Sequence, residues 1–222
     1  MRQLTIELDE LNQKLLQMAG KVEASINRAI RSLMDKNPDL AEQVIRDEPE
    51  INRMEMELDG LTTRLLALRQ PVARDLRTLT AALKINTDLE RIGDLAVHIA
   101  ERSLSLMIHP PGAPLVDIPK MASLVQSMLL RVLDAFVQGD AEEARAVLLA
   151  DAEVDSMRDA MYHELVASMQ SDPSLVPAAI DLIFMARNLE RIGDHATNIA
   201  EDVIFMIQGV DVRHHAEKLG KS

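Results

Sequence analysis

The residues best suited to do chemistry in this chain are two pairs of acids. Glu90 and Asp94 belong to Asp88-Leu89-Glu90-Arg91-Ile92-Gly93-Asp94, and Glu190 and Asp194 to Asn188-Leu189-Glu190-Arg191-Ile192-Gly193-Asp194. In each pair the carboxylates stand four residues apart. On an α-helix that spacing puts both on one face, about one turn from each other. Two carboxylates so placed repel by roughly a few tenths of a kcal/mol. A cation bound between them reverses that sign, so the chemistry these residues offer is the capture of a hard cation by oxygen ligands.

A second pair of segments adds to each set. Glu48-Pro49-Glu50-Ile51-Asn52 aligns with Asp151-Ala152-Glu153-Val154-Asp155. If the chain folds back on itself at Pro71, and again between Asp172 and Pro173, residues equally far from each turn face one another. Glu48 then lies level with Asp94 and Asn52 with Glu90. Asp151 lies level with Asp194 and Asp155 with Glu190. The candidate metal ligands are therefore Glu48, Asn52, Glu90 and Asp94 in one half, and Asp151, Asp155, Glu190 and Asp194 in the other. At about 100° per residue, Glu90 and Asp94 are about 40° apart in azimuth. The apolar face of Leu89, Ile92, Ala96 and Ile99 points away from them. The acids thus belong in a groove between helices rather than in a dry centre.

Such a groove suits Mg, Ca or Mn, and with partial coordination Fe or Zn, as divalent or trivalent ions. His98 and Asn198, one turn beyond each Asp, are possible additional ligands. The plainer reading is a solvated face laced with salt bridges, Arg187 pairing with Glu190. Gly93 and Gly193 lie mid-helix, at about 1 kcal/mol each relative to Ala. Close approach of a neighbouring helix or a ligand accounts for them. Pro49 and the neutral Asn52 make the first set the weaker one. No Glu-x-x-His occurs, so the di-iron carboxylate signature is missing. Neither a Gly-rich phosphate loop nor a Gly-x-Ser-x-Gly is present. His163 and His195 read as surface or interface residues.

The elements that must hold these acids are helices. Leu4, Leu8, Leu11, Leu15, Met18 and Val22 keep a heptad spacing, with Thr5 as expected cap. Asn37-Pro38-Asp39 ends that helix and starts a second, Asn as N-cap and Pro at N1. The second runs to Arg69-Gln70-Pro71, and a third ends near Ile108. His109-Pro110-Pro111-Gly112-Ala113-Pro114 forbids helix. A fourth helix opens at Asp117-Ile118-Pro119 and stops at Gly139. Asp140 and Glu143 have the form of a capping box for the fifth, which ends near Ser171-Asp172-Pro173. The sixth ends near Gln208-Gly209. The predicted organisation is all-α: a three-helix bundle over 1–108, a Pro-rich linker over 109–118, a second three-helix bundle over 119–211, and a tail over 212–222.

Composition narrows the function. The chain has 222 residues, formal net charge -12, 2 % aromatic residues and no Cys. Such acidity argues against nucleic-acid binding and against adsorption to anionic lipid. Without Cys there are no disulfides and no Cys-based zinc sites. No apolar run reaches the ~20 residues of a membrane span, and the first residues lack a signal peptide's apolar stretch. A cytoplasmic chain with no membrane insertion is expected.

Beyond these physical readings, Arg69-Gln70-Pro71-Val72-Ala73-Arg74-Asp75-Leu76-Arg77, both Glu-Arg-Ile-Gly-Asp phrases, Asp172-Pro173 with Pro177, and Gly209-Val210-Asp211-Val212-Arg213-His214 resemble the PhoU family, regulators of bacterial phosphate uptake. The resemblance spans nearly the whole chain. It implies two pseudo-symmetric three-helix bundles, with (Glu/Asp)-x-x-x-Asp motifs that hold metal ions on the bundle surface. It implies negative regulation: restraint of the high-affinity phosphate transporter and of a sensor kinase when phosphate is plentiful. The implied partners are the ATPase subunit of the phosphate ABC transporter and the phosphate sensor histidine kinase, with a homodimer common. A metal-dependent carboxylate-cluster enzyme and a purely structural helical interaction protein are the alternatives.

Overall fold

A computed structural model describes residues 2–108 and 117–212. Residues 109–116 of the linker predicted over 109–118, and the tail from 213 onward, lie outside these residues, while Ile118 is already helical. Among the described residues there are six α-helices: α1 (Arg2–Met34), α2 (Pro38–Arg69), α3 (Arg74–Ile108), α4 (Ile118–Gln138), α5 (Ala141–Ser171) and α6 (Val176–Gln208). A 3-10 turn, Pro173–Leu175, joins α5 to α6.

The punctuation read from the sequence sets most of these ends. Asn37 caps α2 by accepting from the Asp39 N–H, with Pro38 at the first helical position. Gly139 and Gly209 end α4 and α6 at φ 69° and 70°, each donating its N–H back to the last turn. That left-handed backbone favours Gly. Two expectations fail locally. α1 begins at Arg2, ahead of Thr5, because no proline or glycine interrupts the chain there. At α5 only half of the capping box forms. Asp140 accepts from the Glu142 and Glu143 N–H groups, but its own N–H goes to the Ala135 carbonyl. The Glu143 carboxylate is thereby released and takes Arg131 at 2.5 Å.

Helices α1–α3 form one antiparallel three-helix bundle and α4–α6 its pseudo-symmetric copy. Pro49 sits inside α2 without ending it and lies on the exposed side of the helix. α3 and α6 face each other across the middle of the molecule and make its most extensive helix pairing. Leu89, Ile92, Ala96 and Ile99 on α3, and Leu189, Ile192, Ala196 and Ile199 on α6, are all fully buried. One apolar core runs through both halves.

Polar contacts cross between the halves too. Lys84 meets Asp202 at 2.6 Å. Asp181 accepts from Ser105 at 2.6 Å and pairs with Arg102 at 3.3 Å, while Arg102 also covers the Phe184 ring. Asp88 meets His195 Nδ1 at 2.8 Å. No described helix is long and apolar enough to cross a membrane.

Candidate functional site

Each acidic set is built where α2 packs on α3, or α5 on α6. The close approach comes from the two mid-helix glycines. A Cβ on Gly193 would stand 3.3 Å from Asp151 Oδ1 and 3.5 Å from Val154, and one on Gly93 would stand 3.2 Å from Ile51. The neighbouring helix therefore occupies the space a side chain would need, which accounts for a residue that weakens a helix. These contacts put residue 151 beside 193 and residue 51 beside 93. Reflection about the turns pairs residue 51 with 91 and residue 151 with 194, so the observed register agrees with the expected one to within two residues. Asn86 supports it one turn along, donating to the Glu55 carbonyl at 2.9 Å.

In the second half the register gathers Asp151, Asp155, Glu190 and Asp194. Burial, then repulsion from Asp194, Asp155 and Glu190, pushes the Asp151 carboxyl up to about 6. Burial and the Asp155 charge raise Asp194 as well. Among them lies a cation the sequence analysis missed. Arg158 Nη1 donates to Glu190 Oε1 at 2.5 Å and stands 3.2 Å from Asp155 Oδ1. Its Nη2 and Nε reach Asp159 Oδ1 at 2.9 and 3.1 Å. The ion pair expected from Arg187 to Glu190 is made by Arg158 instead. Arg187 lines the same open groove, of about 650 Å³, with Arg158, Asp159, Tyr162, Glu190 and Asp194.

In the first half, burial raises Glu90, followed by repulsion from Asp94, Glu55 and Glu48, with Arg91 opposing. Glu55 is the second residue missed. Asn52 donates from Nδ2 to Glu48 Oε1 at 2.5 Å, while its Oδ1 is enclosed with no hydrogen-bond partner. Asn86 is 2 % exposed, and its Oδ1 is likewise enclosed and unpartnered. Buried acceptors without donors are costly unless a donor or cation satisfies them. Arg91 stands 3.4 Å from Glu90 and 3.6 Å from Asp94, as the plainer reading of the motif anticipates.

Among the described residues, no three Asp, Glu or His side chains converge, as they stand, into a group able to hold a metal ion. The second set is bridged by a guanidinium and the first is tied up in Asn52–Glu48 and Arg91 contacts. The donor chemistry nonetheless fits an oxygen-seeking cation: Glu90, Asp151 and Asp194 are kept above their ordinary pKa by burial and then by neighbouring acids, and amide oxygens lack donors. His98 is exposed, and Asn198 lines a different groove with Asp59, Lys84 and Asp88. His195 is the interface residue it was read as, and His163 packs edge-on against Tyr162.

The architecture is a duplicated helical hairpin with one acidic set per copy, and the PhoU domain profile matches twice, over residues 15–103 and 118–203. The chain belongs to the PhoU family. It is 41 % identical over 216 residues to the phosphate-specific transport system accessory protein PhoU homolog of Pseudomonas aeruginosa, spanning 96 % of this chain and 88 % of that protein. To phosphate-specific transport system accessory protein PhoU of Escherichia coli K12 it is 34 % identical over 212 residues, again covering 96 % and 88 %. The crystal structure of PhoU from Pseudomonas aeruginosa matches with TM-score 0.89 at 40 % identity, over 93 % of this chain and 99 % of that one. The phosphate transport system regulatory protein PhoU from Streptococcus pneumoniae matches with TM-score 0.88 at 28 % identity, over 94 % and 99 %. The PhoU family thus accounts for both halves of the chain and for their arrangement.

Proposed function

We propose that this chain is a negative regulator of high-affinity phosphate uptake and of phosphate-starvation signalling. It acts in the cytoplasm as a non-catalytic, metal-binding adaptor between the ATPase subunit of a phosphate ABC transporter and a phosphate sensor histidine kinase, as a homodimer. The observation that carries this reading is the near full-length match, through both domain copies, to proteins named as accessories of the phosphate-specific transport system. The net charge of -12 favours a protein partner over nucleic acid or anionic lipid. The metal component rests on the two acidic sets, whose mutual repulsion a cation relieves.

Deletion of the gene tests the regulatory role. Phosphate-starvation genes are expected to stay on in phosphate-rich medium, and the intact gene restores repression. Normal repression in the deletion strain overturns the reading. The metal component is tested separately by calorimetric titration of metal-stripped protein with Mn²⁺. Binding is expected in the intact chain and lost when Asp94 and Asp194 are both replaced by Ala; equal binding in that double variant removes it.

A further inference from the structure

The two acidic sets are not equivalent, and besides Asn52 against Asp155 they differ in charge at one further pair of positions. The alignment that matches Glu48 to Asp151 and Asn52 to Asp155 continues, three residues on, to Glu55 and Arg158. The first half carries a carboxylate where the second carries a guanidinium. Both side chains act on their own set: Glu55 is among the charges that repel Glu90, and Arg158 is bonded to Glu190 and Asp155.

We infer that Arg158 is a tethered counter-cation that holds the second acidic pocket, so that a metal ion enters it only by displacing the guanidinium, whereas Glu55 at the aligned position adds negative charge to the first set, whose own cation contacts, from Arg91, are the longer ones at 3.4 and 3.6 Å. This rests on the reading of the sets as cation sites. Charge-assisted contacts at 2.5 and 3.2 Å, on a residue only partly exposed, make Arg158 a direct competitor for the oxygens a metal needs. The structure also supplies a place for the displaced group. Asp159 is exposed on the outer side of the groove and already holds Nη2 and Nε of the same guanidinium. Arg158 gives up Glu190 and Asp155 without losing every partner, and the groove beyond is wide enough for the side chain to swing into. Asn52 and Pro49 make the first set look the poorer one from sequence. Arg158 inverts that order.

Calorimetric titration of the metal-stripped full chain with Mn²⁺ tests this. In the wild type, the stronger binding is expected to be lost with Asp94→Ala. Arg158→Met is expected to strengthen the weaker binding by about tenfold or more, and Asp194→Ala on that background to abolish the gain. Glu55→Arg is expected to weaken the stronger binding by a similar factor. Arg158→Lys keeps the charge but lacks the planar fork, and is expected to fall between wild type and Arg158→Met; it serves as well if the Met variant folds poorly. In chelator, Arg158→Met is expected to melt below wild type, because the acids lose their resident cation. Mn²⁺ binding by Arg158→Met and by Arg158→Lys within twofold of wild type overturns the inference while leaving the cation sites standing. Absence of Mn²⁺ binding in every form overturns both.

Discussion

At the scale of single residues, Asp151 has the clearest physical signature. It is half-buried and faces Asp194, Asp155 and Glu190, with Arg158 as the opposing charge. Its carboxyl sits at about 6 in the folded protein, against about 3.9 in an unfolded chain. The folded state therefore binds this proton more tightly than the unfolded state does. Its contribution to stability is present at low pH and is lost as the pH rises through about 6. Asp151→Asn is expected to raise the melting temperature at pH 8 in chelator. Partial exposure limits the gain to about 1 kcal/mol, or about 2–4 °C. At pH 4 the gain should vanish, because the wild-type acid is then already protonated. Thermal melts of both proteins across that range check it, and a gain that persists at pH 4 contradicts the assigned cause.

At the scale of helices and their pairings, the two glycine contacts set how closely the members of each hairpin approach. Gly93 meets Ile51 at a distance a single methyl group already strains. Gly93→Leu is therefore expected to destabilise the chain by about 1–3 kcal/mol through overpacking, despite the better helix propensity of Leu. It should also disturb the first acidic set, because Asp94 and Glu90 ride on the same turn. Denaturant unfolding and Mn²⁺ titration of the variant measure the two effects.

Much of this level was legible in the sequence. The seams of Leu and Ile, the Asn-Pro and Asp-Pro starts and the Gly stops place the helices, and reflection about Pro71 and about the point between Asp172 and Pro173 brings the acids close to level. Arg158 and Glu55 were not found. Matching residues at equal height selects short acids directly opposite one another, whereas Arg158 reaches along the groove to Glu190 from the next turn. Continuing the alignment by three residues would have shown both. The Asp88–His195 and Lys84–Asp202 contacts were hidden for another reason: the pattern inside one half does not say which face of α3 meets α6.

At the scale of the whole molecule, the two halves depend on each other. α3 buries residues toward its own bundle and toward α6, among them Ala81, Leu89, Leu95, Ile99 and Leu106. An isolated first half, residues 1–108, would expose the second of these surfaces to water at about 25 cal/mol per Å². It is expected to self-associate or to lose cooperative unfolding, while the full chain melts in one transition. Ultracentrifugation and calorimetry of the fragment decide this, and a monomeric, cooperatively folded fragment would show that each bundle stands alone.

The chain contains one Tyr and no Trp. That tyrosine, Tyr162, borders the groove shared by Arg158, Asp159, Glu190 and Asp194. Its ultraviolet emission therefore comes from one known place. Excited near 280 nm, the unlabelled protein carries a built-in optical gauge of whatever happens beside the second acid set, and the first set is silent in the same signal.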